Sequence, residues 1–200
     1  MDSSINNHIN IEKIDRKPKW MSRIKFSPPS LIVGCGTGTT MDLDKEIYGI
    51  DLFDETCLIA NKKAPGMIIK ADAHSMPFKS SYFNQIVLMH SLEHVFSPYH
   101  VLKECLRVLD KNGEISIEVP NSPNFVAERK SHIYGWNKET LANLLKIVGF
   151  KEIRVNYVDH LGITDCLGIK NQKIHKILDK ISSLIFPNSF RSIQGSGRKL

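Results

Sequence analysis

Cysteine is scarce in this chain. Cys35, Cys57, Cys105 and Cys166 are the only four in 200 residues, and no two form a C-x-x-C pair. That pattern argues against a disulfide scaffold or a cysteine zinc site and fits reduced thiols in the cytoplasm. Long apolar runs are also missing. None approaches the roughly 20 residues a membrane helix needs, so no transmembrane segment is expected. The opening residues, Met1-Asp2-Ser3-Ser4-Ile5-Asn6-Asn7, are polar and lack a signal-peptide core. The chain has no internal repeat, no long low-complexity tract and no G-x-x-x-x-G-K-[ST] phosphate loop. Its length suits one domain with a full core.

The most informative stretch is Leu31-Ile32-Val33-Gly34-Cys35-Gly36-Thr37-Gly38. A short apolar run reads as a buried strand, and the alternate glycines read as a bend where backbone must approach something closely. A second apolar run, Ile47-Tyr48-Gly49-Ile50, ends at Asp51. Strand, glycine bend, strand and terminal acid form the layout of a nucleoside-binding α/β half-domain. An ionised carboxylate at Asp51 has two oxygens to offer the hydroxyls of one ribose. The dinucleotide fingerprint G-x-G-x-x-G does not fit, because here the third glycine falls four positions after the first.

The G-C-G-T-G bend resembles the first motif of the class I S-adenosylmethionine (SAM)-dependent methyltransferases, type 11 among them. Later segments agree in order and spacing. Asp72-Ala73 follows a third strand around Met67–Ala71, and Met76-Pro77-Phe78 and Ser81-Tyr82-Phe83 lead into a fourth, Gln85–Met89. Ser91-Leu92-Glu93-His94-Val95 is close to the family's L-E-H-V, and Arg107 to Glu114 resembles its R-x-L-K-P-G-G turn before a fifth strand. Thr140-Leu141, Leu144-Leu145 and Gly149-Phe150 resemble a helix ending of the same family. The resemblance covers residues 31 to about 160 and extends distantly to ubiquinone-biosynthesis O-methyltransferases. It implies a Rossmann-like α/β fold with a mainly parallel sheet of about six or seven strands and helices on both faces. Residues 1–30 would be an N-terminal cap, and 161–200 would complete the same domain. Two positions depart from the pattern. Ile32 stands where the family commonly has Asp, and Thr39 to Glu46 is short for the usual first helix.

What the resemblance implies for the site follows residue by residue. Gly34, Cys35, Gly36 and Gly38 would approach SAM closely, Asp51 and Leu52 would take the ribose, Asp72 and Ala73 the adenine, and His90 would border the sulfonium. The methyl of SAM is already electrophilic, so the protein needs only to hold a nucleophile in line and take a proton. His94, Glu93, His132 and Tyr134 are candidates for that base, alongside a reading in which Glu93 and His94 merely pin loop to helix. His90-Ser91-Leu92-Glu93-His94 also matches the H-x-x-E-H zinc spacing. That motif needs a helix, whereas His90 abuts a strand. The ubiquinone enzymes place acids here that hold a divalent ion, but the first of them is His90 in this chain. No metal is expected.

Local signals fill in the rest. Ser97-Pro98 reads as a capped helix start, Lys111-Asn112-Gly113 as a turn into the fifth strand, and Asn137 as the cap of a helix ending at Gly149. Residues 120–136 read as one long functional loop. The net charge of +6 resides in residues 170–200, where seven Lys and Arg face only Asp179. Ile174, Ile177, Leu178, Ile181, Leu184 and Ile185 give that segment an amphipathic helix, stopped by Pro187. Packing on the sheet with solvated lysines is one reading, and contact with nucleic acid or a membrane surface is the other. Ser192 to Lys199 reads as a final strand weakened by Gly195 and Gly197. The leading function is methyl transfer to a small molecule or a glycan/lipid intermediate. The alternatives are an RNA or protein methyltransferase and a degenerate SAM-binding partner domain.

Overall fold

The computed structural model describes residues 24–39, 41, 46–121, 131–160 and 190–200. The cap expected before Ile24, the basic helix expected between His160 and Phe190, and most of the short segment after Thr39 lie outside the described residues. Among the described residues, seven strands form one sheet in the order β3-β2-β1-β4-β5-β7-β6. These are β1 (Ser30–Val33), β2 (Ile47–Asp51), β3 (Ile68–Lys70), β4 (Phe83–Met89), β5 (Leu109–Pro120), β6 (Lys151–His160) and β7 (Phe190–Arg198). Helices α1 (Asp54–Lys63), α2 (Pro98–Val108) and α3 (Lys138–Val148) connect them.

The first five strands pair in parallel. β1 is buried at every position, as a central strand covered on both faces must be. Two apolar clusters flank the sheet. The larger unites Leu31, Val33, Ile86 and Leu88 with Val101, Leu102 and Cys105 of α2 and Leu141 and Leu145 of α3. The smaller holds Ile32, Cys35, Ile47 and Val87 against Cys57 and Ala60 of α1. Ile32 is therefore core, packed where an acid would have been buried.

Local chemistry ends the elements largely as read, with three corrections. Asn137 Oδ1 accepts the Thr140 amide at 2.8 Å, and Thr140 returns the bond to complete a capping box. Gly149 closes α3 in the left-handed region at φ 117°. Ser97 precedes α2, but its hydroxyl pairs with His100 Nδ1 at 2.8 Å instead of capping the helix backbone. Lys111-Asn112-Gly113 is not a turn before the strand. β5 starts at Leu109 and carries those residues as a bulge, which shifts its register against β4 between Phe83 and Gln85. The last strand runs unbroken through Gly195 and Gly197, which make room on it. A Cβ on Gly195 would sit 2.9 Å from Leu141 Cδ2, and one on Gly197 3.1 Å from Phe150 Cβ. β7 runs antiparallel between β5 and β6.

Candidate active site

Parallel strands deliver their carboxyl ends to one edge of the sheet, and the crevice outside those ends is where open α/β sheets bind ligands. Here it is a cavity of about 490 Å³ at the tips of β1, β2, β3 and β4. Gly34, Asp51, Leu52, Asp72, Ala73 and His90 line it, together with Phe53, His74, Ser91, His94, Val95, Phe96 and Ile133.

Asp51 holds the bend together. Its Oδ2 accepts the Gly36 amide at 2.9 Å, and its Oδ1 accepts the Phe53 amide at 3.1 Å and the Thr56 hydroxyl at 2.8 Å. Oδ1 is thus committed to the protein, and Oδ2 keeps acceptor capacity for a ligand. Gly34 and Gly38 have no space for a side chain. A Cβ on Gly34 would lie 2.6 Å from Ser91 Cβ, and one on Gly38 2.9 Å from Ala60 Cβ, both at positive φ. Gly38 therefore seats α1 and does not line the cavity. A Cβ on Gly36 would meet nothing within 4 Å, so open space adjoins that glycine. Cys35 does not line the cavity either. It is buried against Gly49, and burial, reinforced by the charge of Asp51, pushes its thiol up to about 12.

The acid after β3 is fixed differently. Asp72 Oδ1 accepts both the His74 amide at 2.9 Å and His74 Nδ1 at 2.6 Å, and these bonds hold its carboxyl below the ordinary aspartate range. Arg107 of α2 clamps the same loop through the Met76 and Phe78 carbonyls, while pairing with Glu104 at 2.7 Å.

Beyond β4 lies a group of imidazoles and carboxylates. His90 takes φ 52°, a conformation that β-carbon residues seldom adopt. Its ring sits between Glu93 Oε1 at 3.6 Å and Glu118 Oε1 at 3.4 Å, and each of these glutamates is 1% exposed. Burial favours the neutral ring, yet hydrogen bonding and negative charge from Glu118 and Glu93 outweigh it and lift His90 to about 9. His94 is anchored by Nδ1, which donates to the Ser131 carbonyl at 2.9 Å. A carbonyl only accepts, so Nδ1 carries the proton and a neutral ring leaves Nε2 bare, 3.8 Å from Glu93 Oε1. The loop after β5 is stitched on by the Ile133 amide to the Glu93 carbonyl and by the Tyr134 hydroxyl to the Phe96 carbonyl. This brings the His132 ring to 4.9 Å from that of His94, edge to face. Glu93, His94 and His132 offer ligating atoms within 4.8 Å of one another, a set able to hold a divalent ion. The H-x-x-E-H spacing had instead paired His90 with His94.

Residues 31–117 match the profile of the methyltransferase domain family. A probable S-adenosylmethionine-dependent methyltransferase of Mycobacterium tuberculosis is 25% identical over 134 residues, covering 62% of this chain and 48% of that protein. Residues 31–117 thus resemble the methyltransferase domain of the class I SAM-dependent enzymes. Demethylmenaquinone methyltransferase of Thermotoga maritima is 30% identical over 119 residues, covering 53% of this chain and 52% of that one. The matched stretch thus spans about half the length of these curated relatives. Among solved structures, a SAM-dependent methyltransferase of Thermotoga maritima, described as a possible histamine N-methyltransferase, superposes with a TM-score of 0.70 at 18% identity. The match covers 94% of this chain and 92% of that one.

Of the residues singled out from the sequence, Gly34, Asp51, Leu52, Asp72, Ala73, His90 and His94 lie on the cavity wall. Glu93 lies behind the wall, and His132 stands beside it. Missed were His74, Phe96, Ile133 and Glu118. The strand pattern Glu114-Ile115-Ser116-Ile117-Glu118 puts one polar face on β5, but nothing local says that Glu118 will be buried against His90.

Proposed function

We propose that the chain transfers the methyl group of SAM to a small-molecule or glycan/lipid acceptor in the cavity at the β1–β4 tips. The observation that carries this is the convergence of Asp51, Asp72, His90 and His94 on one cavity. Asp51 Oδ2 takes a ribose hydroxyl, Asp72 the adenine amino group, and the bend at Gly34 and Gly36 the amino-acid tail. SAM is a cation. Glu118 and Glu93, at 3.4 and 3.6 Å from the His90 ring, offset the charge of that ring beside the cavity.

The acceptor's nucleophilic atom attacks the methyl carbon from the side opposite sulfur. The carbon–sulfur bond breaks with its electrons going to sulfur, giving S-adenosylhomocysteine. An acceptor hydroxyl or amine gives its proton to His94 Nε2, which then releases it to solvent. Glu93 at 3.8 Å stabilises the imidazolium, and Ser131 holds the ring's orientation.

The cavity rim supports an acceptor with apolar surface. Phe96 is 82% exposed and Ile133 56% exposed at its edge. The relative named for demethylmenaquinone agrees with that reading. No helix among the described residues is long and apolar enough to cross a membrane. The described cysteines, Cys35, Cys57 and Cys105, are free thiols, which supports a cytoplasmic setting. The decisive experiment is incubation with methyl-labelled SAM and fractionated cell extract. Label in small polar metabolites or lipids is expected. Label confined to RNA or protein would overturn the acceptor class, and SAM binding without transfer to any fraction would favour a degenerate partner domain.

A further inference from the structure

We propose that His74 is a positioning residue that makes the cavity select a 6-amino purine nucleoside over a 6-oxo one. This rests on the reading of the cavity as the SAM site. The Asp72 side chain is 56% exposed. An exposed carboxylate on a loop is a poor reader of a base, because its rotamers are free and water competes for both oxygens.

His74 removes that freedom. Its backbone amide and its Nδ1 both donate to Asp72 Oδ1, at 2.9 and 2.6 Å. Its Nε2 accepts the Ser97 amide at 3.0 Å. A backbone amide only donates, so Nε2 carries no proton and Nδ1 carries the one that reaches Asp72. One neutral tautomer thus ties the loop after β3 to the residue before α2. The Ser75 amide, which donates to the Asp72 carbonyl at 3.0 Å, tightens the same turn. Asp72 Oδ2 has no protein hydrogen bond among the described residues, and Asp72 and His74 both line the cavity. The result is one fixed, ionised acceptor at the far end of the site. A 6-amino group donates to it, whereas a 6-oxo group meets it with lone pairs.

The test is calorimetric titration of the full chain, and of its His74→Ala and His74→Asn variants, with S-adenosylhomocysteine and S-inosylhomocysteine. Wild-type protein should prefer the adenosyl compound by about tenfold or more. His74→Ala should narrow that ratio to about twofold by weakening the adenosyl compound selectively. His74→Asn keeps a donor for Asp72 but loses Ser97, and should retain most of the ratio. Equal weakening of both compounds in His74→Ala, with the ratio intact, marks a purely structural stitch and overturns the proposal. So does wild-type protein that binds both equally. Wild-type protein that binds neither overturns the cofactor reading itself, and the proposal with it. If His74→Ala fails to fold, the Asn variant decides: a lost ratio overturns the proposal and a retained ratio supports it.

Discussion

The Gly36 amide and the Asp51 carboxylate are joined by a 2.9 Å hydrogen bond, which makes the glycine bend and the acid after it a single unit. Asp51→Ala would leave the amides of Gly36 and Phe53 without their acceptor, while the Thr56 hydroxyl keeps the Phe53 carbonyl at 2.8 Å. The variant should lose about 1–3 kcal/mol of stability in urea denaturation. It should also lose the rise in melting temperature that SAM gives the wild type. A variant that keeps the full SAM-induced rise would remove Asp51 from the ribose site.

Gly36 and Gly38 of the bend should respond differently to the same substitution. A Cβ on Gly38 would lie 2.9 Å from Ala60 Cβ and 3.0 Å from its Cα, with φ at 70°. Backbone must move, so Gly38→Ala should cost about 2–3 kcal/mol. Gly36→Ala meets open space and should cost only about 1–2 kcal/mol of left-handed strain, while weakening the cofactor. Equilibrium unfolding of both variants gives the order, and a reversal would contradict the packing of α1 on the bend.

His94→Gln removes the base but no contact assigned to SAM. Methyl transfer at saturating acceptor should fall by about 10²-fold or more, with the SAM-induced melting shift unchanged. An unchanged turnover number would assign the proton to another group or to water.

His90 makes stability depend on pH in the alkaline range. Its folded value, about 9, lies above the ordinary 6.5. Below about 6.5 the ring is charged in both folded and unfolded chains, and its pairing with Glu93 and Glu118 contributes fully. As pH rises through 9 the folded ring loses its proton and that contribution disappears. Urea midpoints measured from pH 6 to 10 should therefore fall between these values, more steeply for wild type than for His90→Gln. Parallel curves would show that His90 does not titrate as the trio requires.

Much of this was legible in the sequence because it is local. Apolar runs ending at Val33, Ile50 and Met89 are strands that begin and stop within a few residues, and Asn137 with Gly149 brackets α3 by its own capping chemistry. Asp51 and His90 could be placed because strand ends alone decide where they lie. Contacts across the fold were not legible. The burial of Glu118 depends on β5 lying beside β4, and the Asp72–His74–Ser97 chain on a loop meeting a helix 23 residues away. Gly195 showed only a propensity penalty until Leu141 was seen to occupy the missing Cβ's place. The pairing of His132 with His94 needed the loop after β5 to fold back onto the segment after β4, which no spacing in the chain announces.

The position of β7 sets an order on how this protein emerges from the ribosome. β5 and β6 come first in the chain, and the strand that separates them is made only after residues 161–189 have been added. Until then neither can make the antiparallel ladders it has in the finished sheet. The nascent chain must keep two unfinished borders from pairing with each other or with a neighbouring polypeptide, and a truncation before Phe190 would make that interim condition permanent.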